Sequence, residues 1–167
     1  MTDLEFTTDL TRVDVDALDA ALREDGFHNG RTPAELRRSC ENSHATVFAL
    51  DGGRVVAMGR LLSDGVGNAY LVDVWTATGH RHRGIGSEVV RRLVQTVPGQ
   101  HVALFTDDAG EFYEGLGFSP QEGGMSRVVG RWLGRFDPPP HPAVVRAATG
   151  DGGGDTARPG HGAPPTG

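Results

Sequence analysis

The sequence predicts a mixed α/β (α+β) domain with helices packed on one central sheet. Three observations carry that prediction. Three strand-like segments follow one another between residues 44 and 76, joined by turn residues. A strongly periodic helix over 84–97 comes directly after them, and two shorter helical segments precede them.

In chain order, Leu4-Glu5-Phe6-Thr7 reads as a first strand. Between Val13 and Leu22 the apolar residues Val15, Leu18 and Leu22 keep helical spacing. Thr32-Pro33-Ala34-Glu35 opens a second helix, with Thr as N-cap, Pro at the first helical position and Glu three after the cap. Leu36 and Cys40 share one face of it. His44–Leu50, Arg54–Leu62 and Asn68–Thr76 are the three strands, with Asp51-Gly52-Gly53 as a tight hairpin turn and Asp64-Gly65-Val66-Gly67 as a looser one. In the helix from Gly84 to Val97, Ile85, Val89, Leu93 and Val97 recur every four residues, and Pro98-Gly99 stops it. A strand over His101–Thr106, a short helix over Ala109–Leu116 and a closing strand over Met125–Trp132 complete the order β-α-α-β-β-β-α-β-α-β.

Composition sets the outer limits. The 167 residues suit one domain, read as residues 1–136. After Phe136 the chain turns to Asp137-Pro138-Pro139-Pro140, Gly152-Gly153-Gly154 and Pro164-Pro165, with Val144 and Val145 the only branched aliphatics. Residues 137–167 bury too little apolar surface to offset ordering entropy and are expected to form a disordered tail. Sixteen Lys and Arg against 22 Asp and Glu give a net charge of −6, which argues against a sequence-independent nucleic-acid binder. Cys40 is the one cysteine, so no intramolecular disulfide forms. The acidic start has no apolar run of a signal peptide, and no stretch approaches the roughly eighteen apolar residues of a membrane span. The expectation is a soluble cytoplasmic protein with no membrane association.

Function is most legible from Val72 to Gly86, where a strand runs into the loop Arg81-His82-Arg83-Gly84 and a helix begins. The first amides of a helix lack internal partners and carry partial positive charge, so they suit an anion. Gly84 and Gly86 let phosphate oxygens approach the backbone, and Arg81, Arg83 and His82 add positive charge. A Walker loop would need Gly-Lys-Ser/Thr, which is missing. A dinucleotide fingerprint would need a small residue where Val89 stands. Taken alone, the turn also fits a solvated basic turn whose glycines serve only geometry.

Arg81-His82-Arg83-Gly84-Ile85-Gly86 resembles the acetyl-CoA signature of the GNAT (Gcn5-related) acetyltransferases, Arg/Gln-x-x-Gly-x-Gly/Ala at a helix start after the fourth strand. Phe112-Tyr113-x-x-Leu116-Gly117-Phe118 resembles a second family segment in the right order, and Gly123-Gly124-Met125 looks like the start of a last strand in bacterial members. The resemblance covers about residues 44–132. It implies the GNAT fold, a mixed central sheet of six to seven strands flanked by about four helices. It also implies an N-acetyltransferase with acetyl-CoA as co-substrate and a small-molecule or protein amine as acceptor. By the resemblance, the amides of His82, Arg83, Gly84, Ile85, Gly86 and Ser87 hold the CoA pyrophosphate, helped by Arg81. Val74, Trp75 and Thr76 pair with the pantetheine arm and offer an N–H to the thioester carbonyl. Two positions depart from the family pattern: Thr76 replaces an apolar residue and Thr78 a proline.

In this reading a neutral amine attacks the thioester, a donor stabilises the oxyanion, and Tyr113 acts as general acid toward the leaving sulfur. Tyr113 also fits a half-buried helix aromatic beside Leu116. Candidates for the base are Asp73, Glu111 and His44, each of which also fits a structural or solvated role. His80-x-His82 lacks further ligands, so no metal is expected. Cys40 reads as buried, and Trp75 and Trp132 as core or site wall. The polar connection 24–31 is expected to shape the acceptor pocket, and the Asp107-Asp108 pair suggests a cationic amine. The alternative is a non-catalytic acyl-CoA-binding regulatory module. A homodimer is compatible with the resemblance, as many relatives are dimers.

Overall fold

A computed structural model describes residues 4–122, 124–127 and 129–135. The chain runs through strand β1 (Leu4–Thr7), helices α1 (Val15–Glu24) and α2 (Pro33–Glu41), strands β2 (Ala45–Asp51), β3 (Arg54–Ser63) and β4 (Asn68–Thr76), helix α3 (Ile85–Val94), strand β5 (His101–Ala103) and helix α4 (Gly110–Glu114). Local chemistry sets several of these boundaries. Asp14 caps α1 by accepting from the Ala17 amide, and Thr32 and Glu35 form a reciprocal capping box at α2. Gly52 and Gly53 both take positive φ in the hairpin between β2 and β3.

The strands lie in the order β1-β2-β3-β4-β5. Each of the first four is antiparallel to its neighbour, and β5 joins β4 in parallel. Both faces of the sheet are covered. Alternation along β2 sends Val47 and Ala49 toward α3, where they meet Val89, Val90 and Leu93. Phe48 and Leu50 face the other way, into a second core with Leu18, Leu22, Leu36, Met58 and Trp75. Helix α3 lies so close to β3 that a Cβ on Gly59 would come within 2.9 Å of both Val89 Cγ1 and Leu93 Cδ1.

Two features depart from the expected strands. Asp73 and Val74 lie across from Gly59, because Arg60 pairs with Val72 while Met58 pairs with Trp75. This is a β-bulge, with Asp73 at φ 52°. Strand β5, expected to reach Thr106, ends at Ala103, and its pairing with β4 stops at Tyr70. Strand β4 runs on to Thr76 past the end of β5, so among the described residues its outer edge pairs with no strand from Leu71 to Thr76.

The expected six to seven strands are corrected to five among the described residues. No strand forms among the described residues of the segment Met125–Trp132. Met125 and Val129 are 93% and 80% exposed, and Trp132 alone of its described residues makes a β-bridge. Gly130, Leu133 and Gly134 turn the backbone with positive φ. The segment is anchored instead by Trp132 Nε1, which donates to the Asn29 carbonyl at 3.0 Å. The stretch 137–167, expected to be a disordered tail, lies outside the described residues.

Candidate active site

The loop between β4 and α3 ends at Gly84, which caps α3 in the left-handed conformation at φ 75° without any side-chain cap. The amides of Ile85, Gly86 and Ser87 therefore open the helix without intrahelical partners. His82 also takes positive φ, 60°. Arg81, His82 and Arg83 are all exposed around this turn. Arg81 Nε donates to the Thr76 carbonyl at 3.0 Å, which ties the end of β4 to the loop.

The loop is braced from behind. Asp25, at the end of α1, accepts from Trp75 Nε1 at 2.9 Å, from Thr78 Oγ1 at 2.9 Å and from the Thr78 amide at 3.2 Å. Burial works to raise the Asp25 pKa, but these hydrogen bonds and the Arg81 charge hold it below the ordinary value. His80 Nε2 lies 3.1 Å from Asp51 Oδ2 on the β2–β3 hairpin. A cavity of about 390 Å³ lies among these bracing groups, walled also by Arg54 and Val55.

The outer edge of β4 follows from alternation. The Ala77 amide donates to Val56 on β3 at 2.8 Å, so Trp75 presents its amide to β3 as well. Val74 and Thr76 then present theirs to the gap that β5 leaves open. Of the three residues expected along a pantetheine arm, two offer outward amides; the third, Trp75, is buried.

Gly86 is where the motifs meet. A Cβ there would stand 3.1 Å from Thr76 Oγ1 and 3.6 Å from Phe112 Cζ. The end of β4, the first turn of α3 and α4 thus converge on one glycine. Tyr113, next to Phe112, packs edge-on against Phe112 and Phe118 with ring centroids 4.9 and 5.7 Å away. Burial pushes its phenol up to about 12. Its hydroxyl makes no hydrogen bond among the described residues.

A sequence model described as the acetyltransferase (GNAT) family matches residues 15–118, most of the described chain. The chain belongs to the GNAT acetyltransferase family. Among solved structures, a protein from Deinococcus radiodurans R1 classed as an acetyltransferase is 31% identical over 75% of this chain and 88% of its own, with a TM-score of 0.67. A GNAT-family structure from Xanthomonas campestris pv. campestris is 26% identical, covers 77% of this chain and 95% of its own, and has a TM-score of 0.66. No curated protein matches the chain.

This GNAT chain treats its two departures from the family pattern differently. Thr78 supplies an amide and a hydroxyl to Asp25, and proline could offer neither. Thr76 places its hydroxyl against Gly86.

The three candidate bases lie in three different places. His44 and Glu111 are exposed, at the start of β2 and on α4. Asp73 is enclosed, its side chain 11% exposed, and its Oδ2 accepts from Arg31 Nη1 at 2.6 Å and from Arg60 Nε at 2.8 Å. Burial works to raise its pKa, but the two guanidinium charges and their hydrogen bonds outweigh it, so Asp73 is a weaker base than an ordinary carboxylate. Cys40 is buried, its thiol raised to about 11 chiefly by burial, which removes it as a nucleophile. Among the described residues, no cluster of His, Cys, Asp and Glu could hold a metal ion. No helix there is long and apolar enough to cross a membrane.

Reading the sequence alone missed Arg31, Arg60 and Asp25. A signal existed for Arg60: it stands alone among Met58, Gly59, Leu61 and Leu62, and a charge inside an apolar strand needs a counter-charge. Asp73 is the lone charge in the next strand.

Proposed function

We propose that this GNAT chain is an acyl-CoA-dependent N-acyltransferase that moves an acetyl group from acetyl-CoA to a primary amine by direct attack in a ternary complex. The observation that carries the reading is the convergence on Gly86 of the end of β4, the uncapped start of α3 and the helix bearing Tyr113.

In this mechanism the amides of residues 82–87 and the Arg81 guanidinium hold the diphosphate of the co-substrate. The outward amides of Val74 and Thr76 run beside the pantetheine arm, and one of them donates to the thioester carbonyl. The neutral amine nitrogen forms a bond to the carbonyl carbon. The tetrahedral oxyanion collapses, the C–S bond breaks, and the thiolate leaves. With a phenol near 12 and a reference thiol near 8.5, complete transfer from Tyr113 is uphill by about 3.5 units, or about 5 kcal/mol. Tyr113 therefore stabilises the thiolate as a hydrogen-bond donor, and the proton lost by the attacking amine ends on sulfur through solvent.

An alkylamine near pKa 10.4 is neutral about once in 2,500 molecules at pH 7, a cost of about 4.6 kcal/mol; an α-amine near 7.8 costs about 1. Solvent-exposed Glu111, on the helix that bears Tyr113, is a better candidate than enclosed Asp73 to relay that proton through water, whereas the strand register puts His44 level with Tyr70, away from Val74 and Thr76. The acceptor lies on the side of the 24–31 connection, and the exposed Asp107-Asp108 pair favours a cationic amine. A thiol-release assay with acetyl-CoA and a panel of amines tests the reaction. Amine-dependent release of free CoA is expected. CoA binding without release by any amine would instead make this a non-catalytic binding module.

A further inference from the structure

We propose that Asp73, clamped between Arg31 and Arg60, is a positioning residue that fixes the β4 bulge and thereby aims the outward amides of Val74 and Thr76 at the thioester. The inference rests on the acyltransferase reading above and deepens it.

The bulge decides which backbone groups face the gap. Leu71 and Val74, three residues apart, both pack in the core under α3, whereas an unbroken strand would place Leu71 and Asp73 on one face. Trp75 packs in the opposite core. The parity of the strand changes at Asp73, which adopts a φ of 52°. Aspartate tolerates that region better than most residues, but a strained backbone persists only where its surroundings over-determine it.

The surroundings here are two arginines from separate elements. Arg60 comes from β3, and its Nη1 also donates to the Ser39 carbonyl at 3.0 Å and to Ser43 Oγ at 2.8 Å, at the end of α2. Arg31 comes from the connection between α1 and α2. One carboxylate oxygen thus gathers the acceptor-side loop, α2, β3 and the bulge of β4. The Arg31 side chain is 8% exposed, and its Nη2 is buried with no hydrogen-bond partner among the described residues. A donor left unpaired in a buried site indicates that the Asp73 contact dictates where Arg31 sits. A residue serving as base would gain from the loss of a neighbouring positive charge, whereas a clamp fails when either jaw is removed.

The test uses acetyl-CoA labelled with ¹³C at the acetyl carbonyl, bound to the full chain and read by infrared difference spectroscopy, with CoA affinity measured by calorimetry. In the wild type the carbonyl band moves to lower frequency on binding. In Asp73→Asn and Asp73→Gly that displacement is expected to fall by at least half while the CoA dissociation constant changes less than threefold. Glycine accepts the positive φ freely, so Asp73→Gly separates the clamp from the backbone preference. Arg31→Gln, a loop substitution, should give the same loss, and Arg31→Lys should recover part of it. A full band displacement in folded Asp73→Gly or Arg31→Gln overturns the inference. A parallel collapse of CoA affinity also overturns it, by making the cluster a general scaffold. Wild-type protein that binds no CoA sinks the acyltransferase reading and this inference together.

Discussion

Tyr113 combines a ring fixed between Phe112 and Phe118 with a hydroxyl that has no partner among the described residues. That combination suits a group waiting for a ligand atom. A hydrogen bond to a charged partner is worth about 1.5–3 kcal/mol, so Tyr113→Phe should lower turnover about 10- to 150-fold. Acetyl-CoA affinity should stay nearly constant, since the ring packing is retained; steady-state kinetics and calorimetry on the same variant check both halves. Unchanged turnover would remove Tyr113 from the chemistry. With the phenol raised to about 12, it remains protonated at every pH an enzyme assay uses, so the Phe variant should scale the pH–rate profile down without moving its limbs.

At the scale of elements, α3 and β3 are locked at Gly59, where a methyl group would press on Val89 and Leu93. Gly59→Ala is expected to destabilise the fold by about 1–3 kcal/mol, the usual cost of overpacking, measured as a lower urea midpoint with an unchanged slope. A stability equal to the wild type would show that the helix can lift from the sheet. Elements whose signals are local were readable beforehand: the capping box at Thr32, the hairpin glycines 52 and 53, and the four-residue apolar repeat of α3. Elements decided by tertiary context were not. The period-two pattern through Val72, Asp73 and Val74 gives no hint of the bulge, because an extra residue in one strand is defined only by its partner. Likewise Met125–Trp132 has strand-like composition, yet Met125 and Val129 lie exposed and no strand forms among its described residues. The turn proposed to hold the diphosphate stands out as a motif because its residues are consecutive in the chain. The Arg31–Asp73–Arg60 cluster was hidden because its members lie 42 and 13 residues apart in the chain.

For the whole molecule, acid stability follows from the carboxylates held in the folded state. Asp73 and Asp25 both have lowered pKa values and are largely enclosed. A depressed carboxylate contributes stability that is fully present above its unfolded value, near 3.9, and is lost as pH falls through the folded one. The urea midpoint should therefore hold from neutrality to about pH 5 and decline steeply below about pH 4. Asp73→Asn should start about 3–5 kcal/mol lower at neutral pH, the cost of breaking a buried pair, and decline less on acidification. An acid limb as steep as the wild type's would place the loss elsewhere. The central claim is that the helix-opening amides after Arg81 grip a diphosphate while β4 receives the thioester arm. Calorimetric titration with coenzyme A, beside pantetheine as the fragment without a diphosphate, tests it most directly. The account predicts saturable one-to-one binding of coenzyme A, weakened at least tenfold by Gly86→Val, and far weaker binding of pantetheine. Equal affinity for the two, or no heat of binding from coenzyme A, would contradict it.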